Sequence, residues 1–276
     1  MKTRLAVCAS AILSVAAGSA SAVTVGYWRL DDGVAGATLT TAASQVNNAT
    51  LQGTGTGGGT RVFNADVPGQ FISDGLNGPI VGSNSTSLQT NGGFVDIPFS
   101  SALEPTSFTI EFFMKAGATA NFPGIVTKSS TLAGRPTSWG IGKNSAEQEF
   151  YRVDTAALNN FTQAGGASTA DGQWHHFALT HDASTGIFSL FRDYILIQSG
   201  NPTGDLQYDG ASGLRIGGMV AGGSFQTYNG LVDEVRFSNS ALTANQLLRI
   251  ATIPEPASLS LLGLGGAMML RRRRAL

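Results

Sequence analysis

The side chains able to do chemistry in this sequence are few and thinly spread. Its only histidines are His175, His176 and His181. On a strand, alternation puts His175 and His181 on one face and His176 on the other. The three then cannot converge from that strand alone, and packing is favoured over a zinc site, which needs three or four placed ligands. A retaining glycosidase would need two carboxylates about 5–5.5 Å apart. The nearest pattern is Glu147-Gln148-Glu149, with Ser145 and Tyr151 where the further acids of a Glu-x-Asp-x-Glu strand would stand. The sequence offers no nucleophile elbow, phosphate loop or dinucleotide fingerprint in its place. No catalytic residue is assigned, and the chain is expected not to be an enzyme. The single cysteine, Cys8, excludes a disulfide framework and any multi-cysteine metal site.

Asp233 is the most informative acid. Within Leu231–Phe237, alternation sets it beside Leu231, Val235 and Phe237, with Glu234 pointing out. A buried carboxylate must be paired, hydrogen-bonded or metal-bound. Backbone amides of a neighbouring strand are one solution. A structural calcium ion is the other, although calcium takes six to eight oxygens and only Asp233 can be assigned. Trp139, Tyr151 and Tyr228 lie in loop-rich sequence and could stack on sugar rings, with core packing the alternative for each.

The two ends read as addresses. Lys2 and Arg4 precede the apolar stretch Leu5–Ala17, and Ala20-Ser21-Ala22 supplies the small-x-small pattern of a signal peptidase site. Cleavage is expected after Ala22, giving a 1–22 signal peptide and Val23 as the first mature residue. At the other end, Pro254-Glu255-Pro256 is followed by the uncharged run Ala257–Leu270 and by Arg271, Arg272, Arg273 and Arg274. That run reaches only ~21 Å as a helix, short of the about 20 residues of a comfortable membrane span. The arginines would hold its end on the cytoplasmic side. The tail, 253–276, resembles the PEP-CTERM sorting signal. The resemblance implies a Gram-negative bacterium, transient residence in the inner membrane, processing by an exosortase and delivery to the cell surface or extracellular matrix, often alongside exopolysaccharide.

Charged residues make up 13 % of the chain and glycine contributes 36 residues. Without the two ends, 11 basic and 17 acidic residues remain, a formal charge of −6. That balance disfavours nucleic acid as a partner. The body, 23–252, reads as one all-β domain of short strands separated by Gly, Asn, Asp and Ser turns. Ser107–Lys115 alternates Phe108, Ile110, Phe112 and Met114 against Thr109, Glu111 and Lys115. Trp174–Thr180, Ile187–Ile197, Leu214–Gly217 and Leu231–Phe237 are further predicted strands. Gly53–Gly59 reads as a flexible loop, and Thr243 with Gln246 as the capping box of a helix over 244–250.

Four segments carry a second resemblance. Trp174–Asp182 followed by Thr185-Gly186 is similar to the central hairpin of LamG-like, concanavalin A-like jelly rolls. Gly230–Phe237 with Ala241-Leu242 resembles that family's closing strand, Gly26–Asp31 its opening strand, and Gly93–Pro98 the strand before Phe108. The sequence departs at Asp193-Tyr194-Ile195, where a second tight hairpin usually has Asp-Gly. The resemblance implies an antiparallel β-sandwich, a structural calcium site in many members, and either of two functions. One is a surface protein binding polysaccharide or another surface protein. The other is a secreted glycan-degrading enzyme whose acids come from separate strands or loops.

Overall fold

The computed structural model describes residues 22–251 apart from 77, 80–81, 118–122, 133–134, 158–160 and 222–223. Ala20, Pro254, Glu255, Pro256 and Arg271–Arg274 lie outside the described residues, as does the apolar run before the arginines. Among the described residues no helix is long and apolar enough to cross a membrane.

Two sheets of antiparallel strands pack face to face. The first runs, in spatial order, Ile195–Gly200, Ile187–Arg192, Trp174–Asp182, Phe108–Ala116, Asn229–Ser238, Ser87–Asn91 and Thr60–Asn64, with Thr24–Trp28 also pairing on Asn229–Ser238. The second runs Phe161–Gly165, Glu149–Val153, Arg135–Lys143, Gly124–Leu132, Leu214–Ile216, Phe94–Ile97, Gly53–Thr56 and Thr41–Ala42. Ile110, Phe112 and Met114 from the first sheet meet Val126, Trp139 and Tyr151 from the second in one apolar core. The alternation read in Ser107–Lys115 is therefore the core face of a central strand. Its opposite face is covered too: Thr109 and Glu111 are fully buried, beneath a small sheet of Leu248–Ile250, Ile72–Asp74 and Gly78–Pro79.

Four sequence expectations are corrected. The stretch Ile187–Ile197 is two strands, because Asp193 and Tyr194 turn the chain at φ 48° and 69°. A two-residue turn of this hand favours glycine, and tertiary contacts replace it. Asp193 accepts the His176 N–H at 3.0 Å and pairs with His175 Nδ1 at 2.7 Å. Tyr194 is stacked between the His176 ring and the Arg249 guanidinium. The 244–250 helix is a single 3-10 turn, Ala244–Gln246. The Gln246 side chain does accept the Thr243 N–H, but Leu248–Ile250 is claimed by antiparallel pairing to Ile72–Asp74. Gly53–Thr56 is a strand, not a loop, since a Cβ on Gly53 would lie 2.5 Å from Val95 Cγ1 of the neighbouring strand.

The fourth correction concerns the closing strand. Asp233 opposes Phe113 while Arg236 opposes Glu111, so this strand carries one extra residue, with Glu234 at φ 51°. Such a bulge re-aims side chains. Val235 and Phe237 stay in the sandwich core, where Val232 takes the place expected of Leu231. Asp233 leaves that face, and Glu234 is fully buried instead of pointing out.

Candidate functional site

The expected sites sort by whether their polar groups are already satisfied. Trp139, Tyr151 and Tyr228 are enclosed and cannot stack on a sugar. Trp139 is stacked between Phe108 and Phe237, at centroid distances of 4.7 and 5.6 Å. Tyr151 stacks on Phe188, and the Tyr228 hydroxyl donates to the Lys115 carbonyl at 3.1 Å. All three fall on core-facing positions of sandwich strands or their joins, and core packing accounts for them.

Asp233 is equally committed. Its carboxylate accepts the Asn84 Nδ2 at 2.7 Å and the Glu234 N–H at 2.9 Å. Burial, reinforced by the Glu234 charge, pushes it well above the usual carboxylate range. Glu234 accepts the Tyr27 hydroxyl and lies 3.3 Å from Arg29 Nε, and burial raises its carboxyl to about 7. Calcium would ask for an open set of oxygens here. Among the described residues no three His, Cys, Asp or Glu side chains group as a metal site, and both Asp233 oxygens already accept hydrogen bonds.

Glu147 and Glu149 are not a free acid pair. Glu147 sits in a turn at φ 58° with Lys143 Nζ at 2.6 Å. Glu149 is buried on a strand, accepts the Thr169 hydroxyl and lies 3.7 Å from Arg192. His176 is likewise spoken for, since its Nε2 is 2.9 Å from Glu111, which also binds Arg236.

One site is different. Where Phe108–Ala116 begins and Trp174–Asp182 ends, the loops leave a cavity of about 170 Å³ lined by Glu104, Thr106, His181, Asp205, Leu206 and Tyr208 among others. Three devices hold its wall. Tyr208 donates its hydroxyl to the Pro105 carbonyl at 3.0 Å. Lys128, fully buried, fixes Glu104 at 2.8 Å and the Ser212 carbonyl at 2.6 Å. Asp209 organises the loop behind them by accepting the Thr131, Ala211 and Ser212 amides.

His181 is the central group. It is 6 % exposed and stacks on Phe188 at 4.1 Å. Its Nδ1 lies 2.8 Å from the Thr106 carbonyl. A carbonyl only accepts, so Nδ1 carries the proton. Burial holds this imidazole below its ordinary value, and Nε2 is then an unprotonated acceptor. Alternation gave the strand and set His181 on the same face as His175, opposite His176. Its distance from His175, six residues and ~20 Å along the strand, separates it from the other histidine on that face. The cavity itself needs loops 104–106 and 204–208, which no spacing in the sequence brings together.

The comparisons agree with this architecture. Residues 89–248 match the concanavalin A-like lectin/glucanases superfamily, and residues 252–274 match the PEP-CTERM protein-sorting motif. The motif implies an exported protein processed by an exosortase, with a surface or extracellular destination. No curated protein matches the chain. Among solved structures, domain 4 of AbnA, a GH43 extracellular arabinanase from Geobacillus stearothermophilus in complex with arabinotriose, is 17 % identical, with a TM-score of 0.53, over 82 % of this chain and 97 % of that one. Trypanosoma rangeli sialidase in complex with sialic acid is 14 % identical, with a TM-score of 0.55, over 81 % of this chain and 32 % of that one. This chain thus spans about a third of that sialidase. Likeness at such identities speaks for the fold alone. The family match covers more than half of the sequence, and the chain belongs to the concanavalin A-like lectin/glucanases superfamily.

Proposed function

We propose that this is an exported surface or matrix protein whose jelly roll binds glycan without hydrolysing it. The observation that carries the reading is the loop-end cavity: a preformed concave site with an apolar floor and a few convergent polar groups. It lies in loops on a rigid sandwich, where binding groups are commonly placed. A single ring in so small a site supports modest affinity, in the high-micromolar to millimolar range, about −4 to −6 kcal/mol. The arabinotriose bound to the arabinanase domain is a property of that domain, and it supplies one neutral oligosaccharide worth testing. Affinity electrophoresis through gels containing bacterial exopolysaccharide should retard the protein, with no reducing ends released.

One observation favours the alternative of a secreted glycan-degrading enzyme. Glu104 and Asp205 reach the same cavity from separate loops, the kind of assembly that the missing Glu-x-Asp-x-Glu strand would require. Against it, the Glu104 carboxylate is already engaged by the buried Lys128 at 2.8 Å. Hydrolysis that disappears in both Glu104→Gln and Asp205→Asn would establish the enzyme instead.

A further inference from the structure

Apart from the Thr106 hydroxyl, and with the Tyr208 hydroxyl committed to Pro105, the polar side chains of the cavity lining are acceptors. His181 Nε2 has no hydrogen-bond partner among the described residues and belongs to a side chain more than nine-tenths buried in the cavity wall. With Nδ1–H committed to the Thr106 carbonyl, it offers a lone pair and no proton. Glu104 and Asp205 contribute carboxylates, which also only accept. The nearest cation, Lys128, is spent on Glu104 and the Ser212 carbonyl. The described lining holds neither arginine nor lysine. An anionic group entering here would meet the unpaired Asp205 carboxylate and the His181 lone pair, with the Thr106 hydroxyl as the side-chain donor on offer and no free cation in the described lining.

Resting on the saccharide reading above, we infer that the cavity selects sugars by the donors they present: it takes rings bearing hydroxyls or a free amine and rejects rings bearing a carboxylate. Hydroxyls donate to His181 Nε2 and the carboxylates, and an ammonium adds charge complementarity with Asp205 at the exposed rim. The −6 body works in the same direction at longer range.

The test is a matched panel in which only one group changes: glucosamine, glucose and glucuronate, with the galacto-configured set beside them, titrated by ligand-observed NMR against the purified protein. The expected order is amine, then neutral, then acid, with at least about tenfold between the first and last. Asp205→Asn, a change at an exposed carboxylate, should narrow the gap between amine and acid. Asp205→Lys should reverse it. Acid rings bound as tightly as neutral ones would overturn this selectivity and leave saccharide binding standing. Failure of every ring to bind would overturn the saccharide reading itself, and the selectivity with it.

Discussion

The outer face of the closing strand and the loop end of the sandwich both bury charged and polar side chains, but they treat them differently. Around the closing strand the groups complete one another. Glu111 accepts from Arg236 at 2.6 Å and from the Leu248 N–H at 2.7 Å, and lies 2.9 Å from His176. Arg236 also holds Asp74 and donates to the Gln246 carbonyl. That network ties the last strand and the small sheet to the sandwich. At the loop end, His181, which lines the cavity, satisfies one nitrogen on the Thr106 carbonyl and leaves the other without a partner among the described residues. Buried polar groups that are fully partnered act as structure. An unpartnered one over open volume has its capacity left for a ligand.

Substitutions should separate the two regions by magnitude. Glu111→Ala removes the acceptor of Arg236 Nε and of the Leu248 N–H and leaves Arg236 ion-paired with Asp74 alone, and should cost about 3–5 kcal/mol, read as a lowered urea midpoint. A loss below about 1 kcal/mol would break the account of that network. Trp139→Ala should cost a similar amount, about 3–5 kcal/mol, by emptying the core between Phe108 and Phe237. If instead it abolished sugar binding in protein that stayed folded, Trp139 would belong to the site after all.

Asp233→Leu leaves the Asn84 amide and the Glu234 N–H unpaired, for about 1–3 kcal/mol. EDTA should leave the wild-type melting temperature unchanged, since both Asp233 oxygens already have partners. An EDTA-induced drop in the wild type that is absent from the mutant would put a cation there.

The pH dependence follows from the same contrast. Glu234, raised to about 7 by burial, is protonated when folded where the unfolded carboxyl has lost its proton. Its contribution is full below about pH 4.5 and disappears as pH rises toward 7. Against the cost of burial, Asp193 and Asp171 hold His175 above its ordinary value. That stabilisation is full below about pH 6.5 and is lost as pH rises through the raised value. These two groups lower the melting temperature from pH 5 to pH 8, while His181, held below its ordinary value by burial, pulls the other way over the acid part of the range. Glu234→Gln should flatten the acid half of that slope and Asp193→Ala the alkaline half. A pH slope in either variant identical to that of the wild type would contradict the corresponding assignment. The smallest stability effect belongs to the open region: Asp205→Asn should stay within about 0.5 kcal/mol of wild type, although it alters which sugars bind.

How much was legible varied with how one-sided each strand is. Phe108–Ala116 and Trp174–Asp182 announce themselves because apolar and polar residues alternate. Gly124–Leu132 and Arg135–Lys143 do not, though they are as central to the second sheet. Their outward positions include Thr127, whose hydroxyl donates to the Gly218 carbonyl, and Gly140 and Gly142, where a Cβ would meet Thr127 and Phe150. Both faces are covered, and the period of two fades. Lys128 and Lys143, fully buried on these strands, look like solvent-facing residues until their partners Glu104 and Glu147 are seen in place.

By itself the sequence determined the β-sandwich class, the family, the sorting motif and the one-sided strands, because each rests on local order: alternation along a strand, turn residues, or contiguous motifs. It also set His175 and His181 on one strand face and His176 on the other. The tertiary structure decided the rest. A bulge of one residue at Glu234 changed what Asp233 and Glu234 face, since register has a period of two and one extra residue reverses it. Long-range pairing turned a capped helix into a strand. The cavity exists only where loops around 104, 181 and 205 meet, and sequence spacing carries no information about which distant loops share an end of the sandwich.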